Sequence, residues 1–312
     1  MKETILTITL NPAIDKTVRV DNFKIGKDYR EKALSLSAGG KGINVSRVLN
    51  KLKVKNIASG FIGGSNGSFI KDQLAKEKIR YSFFQIKENT RMSLTVLDGK
   101  SKTITRVLER GPEVSPTELK SFRKLFTSLL KKSTYVIFSG RNIPGAQDTI
   151  YRQLIELAKR NRVRSILDTS GPALLKGIRK KFFMLKPNLA EAEQILNIKI
   201  NSLAKVKQAL YGLHNLGIEV LALTMGSKGA VAYDGKEMVV ARVPKVKAVS
   251  PVGCGDAFIA GFIASFSRSK NLGQSLKAGA CAGTTNALNI TPGHINISDL
   301  RRISKKIKIK NI

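Results

Sequence analysis

Ser250-Pro-Val-Gly-Cys-Gly-Asp256-Ala-Phe-Ile-Ala-Gly261 is the stretch on which the reading of this chain turns. Upstream, residues 241–249 alternate apolar side chains and predict a β-rich edge segment. Downstream, residues 257–267 are apolar, small and helix-compatible. Two glycines and an aspartate therefore sit at the junction of the two. Glycine lets backbone N–H groups approach an anion closely, and a helix start adds partial positive charge. Gly253, Cys254 and Gly255 are thus a candidate anion hole for a transferring phosphoryl group. Asp256, at the same helix start, is placed to accept a proton from an attacking hydroxyl. Read without that chemistry, the stretch is a helix N-terminus with Asp256 as its cap.

Around this stretch the composition is that of a globular protein. The 312 residues are 42% hydrophobic and 25% charged, long enough for one large domain spanning 1–312. Cys254 and Cys281 are the only cysteines, so no disulfide framework is indicated and a reducing, cytoplasmic location is expected. No apolar run approaches the ~20 residues of a membrane span. The net charge of +33 attracts nucleic acid, anionic lipid and anionic metabolites alike. Lys and Arg are nevertheless spread through every predicted helix, and only residues 301–310 form a dense cluster. Without aromatic interleaving or zinc-ligand spacing, nucleic acid is not the expected partner.

Residues 4–10 alternate Ile and Leu with Thr, the pattern of a first strand. It stops at Pro12 and leaves Asp15 beyond a strand end, where ligands bind open α/β sheets. Ala38-Gly-Gly-Lys-Gly-Ile-Asn44-Val then opens a helix with Val45, Val48, Leu49 and Leu52 on one face. The glycines suit an anion or a hydroxylated ring, or simply a flexible loop; the spacing is not that of a Walker A loop. Residues 90–97 and 101–108 alternate about Asp98-Gly99, a hairpin signal. Together with period-two runs near 16–37, they predict a small β lid at about 16–37 and 90–109. From Ser115 onward helices and strands alternate (helix 116–131, strand 134–138, helix 146–159, strand 163–167), which argues for a parallel, doubly wound sheet. Asn188 and Glu191 have the spacing of a capping box. His214 and His294 have no partner pattern for catalysis or metal binding.

Ser-Pro-Val-Gly-Cys-Gly-Asp-Ala-Phe resembles the C-terminal signature of the PfkB (ribokinase-like) family of sugar kinases, with Cys254 where the family usually has alanine. Leu10-Asn-Pro-Ala-Ile-Asp15, followed by Gly-Gly-Lys-Gly-Ile-Asn-Val-Ser-Arg47, resembles its hexose-phosphate-kinase branch. Five such motifs run in the family's order across residues 6–293. The resemblance implies a ribokinase-like three-layer α/β/α sandwich with a mainly parallel central sheet, a β lid and phosphoryl transfer from ATP with Mg²⁺. It implies Asp256 as base and the 253–255 amides as anion hole. Asp15, Gly40, Asn44 and Ser139 would hold the sugar, and Lys41 and Arg91 its phosphate. Arg30 would reach across a homodimer joined through the lids. Lys186, Thr224, Gly226, Gly229 and Asn286 would bind the nucleotide, and Asn188 and Glu191 would sit by the metal. Arg141 replaces a small residue of the family's Ser-Gly-Ser-Leu-Pro turn. The N-terminal motifs resemble 1-phosphofructokinases, whereas residues 108–114 and 293–296 are closer to tagatose-6-phosphate kinases. Fructose 1-phosphate is the expected acceptor, with tagatose-6-phosphate and 6-phosphofructokinase activities as alternatives. A non-catalytic sugar-phosphate or nucleic-acid binder is the alternative of a different class.

Overall fold

The computed structural model describes residues 4–30, 33–179 and 181–312. Residues 1–3 of the first apolar segment and 31–32 of the first lid segment lie outside the described residues. The first half of the chain holds β1 (Ile5–Thr9), β2 (Ala13–Val20), β3 (Ala33–Gly39), α1 (Lys41–Lys51), β4 (Asn56–Gly63), α2 (Gly64–Lys76), β5 (Phe84–Ile86), β6 (Arg91–Asp98), β7 (Ile104–Leu108), α3 (Pro116–Leu130) and β8 (Tyr135–Ser139). There follow α4 (Ile150–Arg160), β9 (Arg164–Asp168), α5 (Pro172–Gly177), β10 (Phe182–Leu185), α6 (Leu189–Leu196), α7 (Leu203–Asn215) and β11 (Ile218–Thr224). The chain ends with β12 (Ala230–Tyr233), β13 (Met238–Arg242), α8 (Cys254–Ser269), α9 (Leu272–Asn286), α10 (Ile297–Ser304) and β14 (Lys308–Asn311).

The larger sheet has the order β14-β13-β12-β11-β10-β9-β8-β1-β4-β5. Its pairings from β11 through β1 to β5 are parallel, and β12, β13 and β14 close one end antiparallel. Although β1 alternates apolar and polar residues, all five of its residues are buried. Alternation usually marks a strand with one wet face. Here Leu6 and Ile8 enter one helix layer, while Thr7 shares a 2.7 Å hydrogen bond with Ser46 of α1 on the other face. A helix therefore supplies what solvent would otherwise supply.

Apolar residues of α1, α8, α9 and α10 cover one face of the sheet, including Val45, Phe258, Phe262, Leu276 and Ile303. Those of α3, α4, α5 and α7 cover the other, including Phe122, Tyr151, Leu154 and Leu210. The small residues read at 257–267 let α8 and α9 approach closely: a Cβ at Gly261 would lie 2.8 Å from that of Ala282. The α/β/α sandwich expected from the sequence is the fold observed.

The smaller sheet has the order β3-β2-β6-β7. Its core contact is a third cluster, in which Ile14 and Ala38 meet Ile70 and Leu74 of α2. The 98–99 turn forms as expected, because Asp98 accepts hydrogen bonds from the backbone N–H groups of Asn22, Phe23, Lys100 and Ser101.

Two boundaries differ from the sequence reading. The segment 241–249 is not a strand beyond Arg242, since Pro244 removes a ladder donor and 243–249 turns along the cleft instead. α4 begins at Ile150 rather than Ala146, because the Asn142 amide donates to the carbonyls of Ala146 and Gln147 and holds them in a turn. The basic cluster 301–310, to which the sequence reading gave no element, forms the end of α10 and the edge strand β14, which pairs with β13.

Candidate active site

Strand order reverses at β1, which has β4 on one side and β8 on the other; such switch points open a crevice beyond the strands' C-terminal ends. Two helices begin there. α1 and α8 both start at glycine N-caps, Gly40 and Gly253, with no side chain capping their first-turn N–H groups. Ser115, Asn188, Ser202, Asn271 and Asn296 cap α3, α6, α7, α9 and α10, whereas α2, α4 and α5 also start without a side-chain cap. First-turn amides have no partner within their own helix, so those of Gly255 and Asp256 are available to an anion, while that of Cys254 is held only by a long 3.4 Å bond to the Pro251 carbonyl. Gly253 has a φ of 80°, and a Cβ there would come within 2.9 Å of Pro292. Only glycine takes that conformation without strain. A Cβ at Gly255 would stand 3.4 Å from the Lys186 Nζ.

Asp256 is 4% exposed and lines a cleft of about 1390 Å³. Burial pushes its carboxyl up to about 6; Asp168 adds to the rise, while Lys41, the Asn44 hydrogen bond and Lys186 oppose it. The Asn44 amide donates to Asp256 Oδ2 at 2.8 Å. Behind it, the Asp168 carboxylate is itself 2% exposed. It faces Lys186 Nζ at 3.1 Å and Lys41 Nζ at 3.6 Å, without well-aligned hydrogen bonds. Burial works against its charge, but the two ammonium groups outweigh it and hold the carboxyl below the usual range. Asp168 likewise holds Lys41 well above the usual lysine range. The result is a carboxylate able to take a proton near neutral pH, beside two cations and a row of bare amides.

A second group of charges comes from the smaller sheet. Its register pairs Ala13 with Arg91, Asp15 with Ser93, and Thr95 with Arg106. Strand alternation therefore puts Asp15, Arg91, Ser93 and Arg106 on one face, and all four line the cleft. Arg91 donates to the carbonyls of Asn11 and Glu109 and to the Ser93 hydroxyl. Burial lowers its pKa, and Arg141 nearby lowers it further. Asp15 is raised by burial, with Arg91, Arg47 and Arg106 opposing. Two guanidinium groups held close together in a cleft form a site for an anion.

Farther along the cleft, β11 ends beside the start of α6, with Thr224 N–H donating to the Pro187 carbonyl. Gly226 has open space where a Cβ would be, and Gly229 follows at a φ of 99°. Asn188 and Glu191 form a reciprocal capping box using Oδ1 and Oε2. Both residues line the cleft. Among the described residues no three acidic, His or Cys side chains cluster as a metal cage. This donor pair fits a divalent cation that keeps most of its waters.

Of the residues singled out in the sequence, the cleft gathers Asp15, Gly40, Lys41, Asn44, Arg91, Lys186, Asn188, Glu191, Thr224, Gly226, Gly229 and 253–256. Three lie elsewhere. Arg30 is exposed and outside the lining; Ser139 is fully buried at the end of β8. Asn286 is also fully buried and braces the anion-hole loop, donating to the Val252 carbonyl and accepting from Gly293 N–H. Asp168, which the sequence marks only as a turn or cap residue before Thr169-Ser170-Gly171, lines the cleft, as do Arg106 and Arg110, to which the sequence reading gave no role. The register of the 101–108 alternation against 90–97 is the signal that could have found Arg106.

Comparison with known proteins agrees with this fold. The model of the pfkB family of carbohydrate kinases matches residues 8–291. A tagatose-6-phosphate kinase of Staphylococcus epidermidis is 33% identical over 308 residues, covering 98% of this chain and 99% of the relative. Phosphofructokinase-2 from Escherichia coli, solved in complex with potassium, superposes with a TM-score of 0.91 at 25% identity over 98% of this chain and 99% of that one. A putative phosphofructokinase from Staphylococcus aureus gives 0.85 at 27% identity and 99% coverage of both. The chain therefore belongs to the PfkB family of carbohydrate kinases, phosphotransferases that act on a sugar hydroxyl.

Proposed function

We propose that this kinase transfers the γ-phosphoryl group of ATP to a hydroxyl of a hexose phosphate, with Asp256 as the base. The observation that carries the reading is the buried Asp256 at an uncapped helix start, in one cleft with Lys41, Lys186 and Arg91. Asp256 accepts the hydroxyl proton. The Cys254 and Gly255 amides with Lys41 and Lys186 take up charge that develops on the transferring oxygens, a preorganised arrangement that carries most of such a reaction. Arg91, Arg106 and Arg141 clamp the phosphate already on the sugar, and Asp15 and Asn44 hold its hydroxyls. The nucleotide lies along Lys186, Asn188 and 224–229. Asn188 and Glu191 would hold Mg²⁺, which would supply charge neutralisation on the nucleotide phosphates.

For the acceptor, the N-terminal motifs favour fructose 1-phosphate. The full-length tagatose-6-phosphate kinase relatives, together with residues 108–114 and 293–296, favour tagatose 6-phosphate, and we adopt the latter. The test is ADP release with tagatose 6-phosphate, fructose 1-phosphate and fructose 6-phosphate in parallel. Tagatose 6-phosphate should give the highest kcat/KM; a higher value with either fructose phosphate overturns that choice of acceptor. The Asp256→Asn variant should lose turnover by about 10³-fold or more while still binding ATP. Near-normal turnover would remove Asp256 as base, whereas no ADP release by the parent with any of the three acceptors would favour a non-catalytic reading. A dimer joined through the smaller sheet is supported by its exposed Leu34, Leu36, Ile104 and Val107, and sedimentation would reveal it.

A further inference from the structure

Arg47, on the turn of α1 after Asn44, is 7% exposed, and the reaction as proposed gives it no role. A guanidinium has five N–H donors and no acceptor. Arg47 makes five hydrogen bonds. Nε and Nη2 fork onto Glu77 at 2.6 and 2.9 Å, and Nη2 also reaches the Ala38 carbonyl at 2.9 Å. Nη1 donates to the Pro292 carbonyl at 3.2 Å and to Asn44 Oδ1 at 3.1 Å. Each bond ends on a different strand, helix or loop, or on the carboxylate that forks it, so the group has one position.

The bond to Asn44 has a consequence for the base. An amide presents oxygen on one side and NH₂ on the other. Because Arg47 can only donate, Asn44 Oδ1 must face it, and Nδ2 must face Asp256. That is the orientation in which Asn44 donates to the ionised carboxylate. With the amide reversed, Oδ1 would confront Asp256 Oδ2. Two acceptors tolerate that contact only when the carboxyl carries a proton, and a protonated Asp256 cannot accept one from the sugar. We infer that Arg47 is a positioning residue for the reaction: by fixing the Asn44 amide it keeps Asp256 in the proton-accepting form. This rests on the reading of Asp256 as the base.

The charges around both groups are accounted for. Asp256 is faced by Lys41 of α1, Asp168 at the end of β9, Lys186 after β10, and Cys254 on its own helix. Arg47 acts across space on Asp15 and on His294, with Glu77 and Lys51 beside the latter. None of these, other than Asn44, hydrogen-bonds to Asp256.

The test is a carboxyl-carbon NMR titration of Asp256 in the full chain without substrates, with the resonance assigned by its loss in Asp256→Asn. In Arg47→Ala the Asp256 midpoint should rise by about one unit. The kcat should fall about twofold at pH 7 and approach ~10-fold by pH 5, with KM for both substrates within about threefold of the parent. In Arg47→Lys a single ammonium still reaches Asn44 Oδ1 but cannot fork onto Glu77. That variant should melt earlier yet keep the parental midpoint. An unmoved midpoint in Arg47→Ala overturns the inference, as does a lysine variant displaced as far as the alanine one. Should Arg47→Ala not fold, the apolar pair Arg47→Met with Glu77→Leu fills the volume and carries the same titration. The midpoint is read without catalysis, so a failure of Asp256 as base leaves this measurement interpretable.

Discussion

Replacing Asp168 by asparagine sets two effects of the same charge against each other. The carboxylate is 2% exposed and Lys186 is 4% exposed, 3.1 Å apart. At an effective dielectric constant of ~20, that separation corresponds to about 5 kcal/mol of gross attraction, most of it offset by desolvation of both ions. Removing one partner is different, because Lys186 keeps its burial and loses its counter-ion, a loss of ~3–5 kcal/mol. The side-chain amide introduced by Asp168→Asn still offers a carbonyl that accepts one hydrogen bond, which places the expected loss near ~3 kcal/mol. The Lys41 arm, at 3.6 Å with a side chain 42% exposed, adds under ~1 kcal/mol because water screens it. The same substitution removes a charge that raises Asp256, leaving Lys41 and Lys186 unopposed there. Asp256 should then ionise about one unit lower, nearer 5 than 6. Urea unfolding at pH 7 reads the first effect, and the acidic limb of kcat/KM reads the second, since that ratio reports the free enzyme. The sugar phosphate also titrates near pH 6, so the displacement between parent and variant is what counts. A less stable enzyme whose acidic limb stays put, or moves up, would refute the assignment of Asp168 as the charge that tunes the base.

Asp256→Asn should be more stable than the parent at pH 7, by on the order of 2 kcal/mol, since it no longer ionises a buried group. A carboxyl raised in the folded state contributes stability below its unfolded value near 4 and loses it as pH rises through about 6. The advantage seen in thermal melts at pH 7 should accordingly vanish by pH 4, and a variant no more stable at pH 7 refutes burial as the cause. Arg141→Ser restores the family's small residue and should raise KM for the sugar phosphate ~10-fold, leaving KM for ATP and kcat little changed. A rise in KM for ATP would put Arg141 on the wrong substrate. Gly253→Ala forces a side chain into a φ of 80° and against Pro292, costing ~1–2 kcal/mol and lowering kcat through the displaced amides. Unchanged kcat in a destabilised variant would mean that the amides of this turn do not carry the transferring charge.

The order of strands and helices was legible because hydrophobic period and turn chemistry are local. Strand β1, the 98–99 turn and the Asn188–Glu191 capping box each announce themselves within a few residues. The cleft was legible for a related reason: its residues sit at the ends of strands and the starts of helices, positions that glycines and a proline mark in the sequence. The rest depends on distance along the chain. Asp168 reads as a turn residue until Lys41 and Lys186, contributed by two other elements, are brought against it. Asn44 meets Asp256 across 212 residues, and Arg47 meets Pro292 across 245. Asn286 shows the converse, since a polar residue near a motif is consumed in bracing the backbone at Val252 and Gly293.

The formal charge of +33 bears on a different step from the chemistry. At physiological ionic strength an exposed charge is largely screened beyond about 8 Å, so most of the surplus lysines leave Asp256 untouched. Were the global charge felt at the base, Asp256 would titrate below an ordinary aspartate, not above it. Its direction of shift is set by burial and by Asp168, against Lys41, Lys186 and the Asn44 amide. The surface charge acts earlier, when two anionic substrates approach a cleft whose walls carry Arg91, Arg106, Arg110 and Arg141. Salt should therefore weaken kcat/KM much more than kcat, because encounter is screened while the buried carboxylate and its neighbours are not.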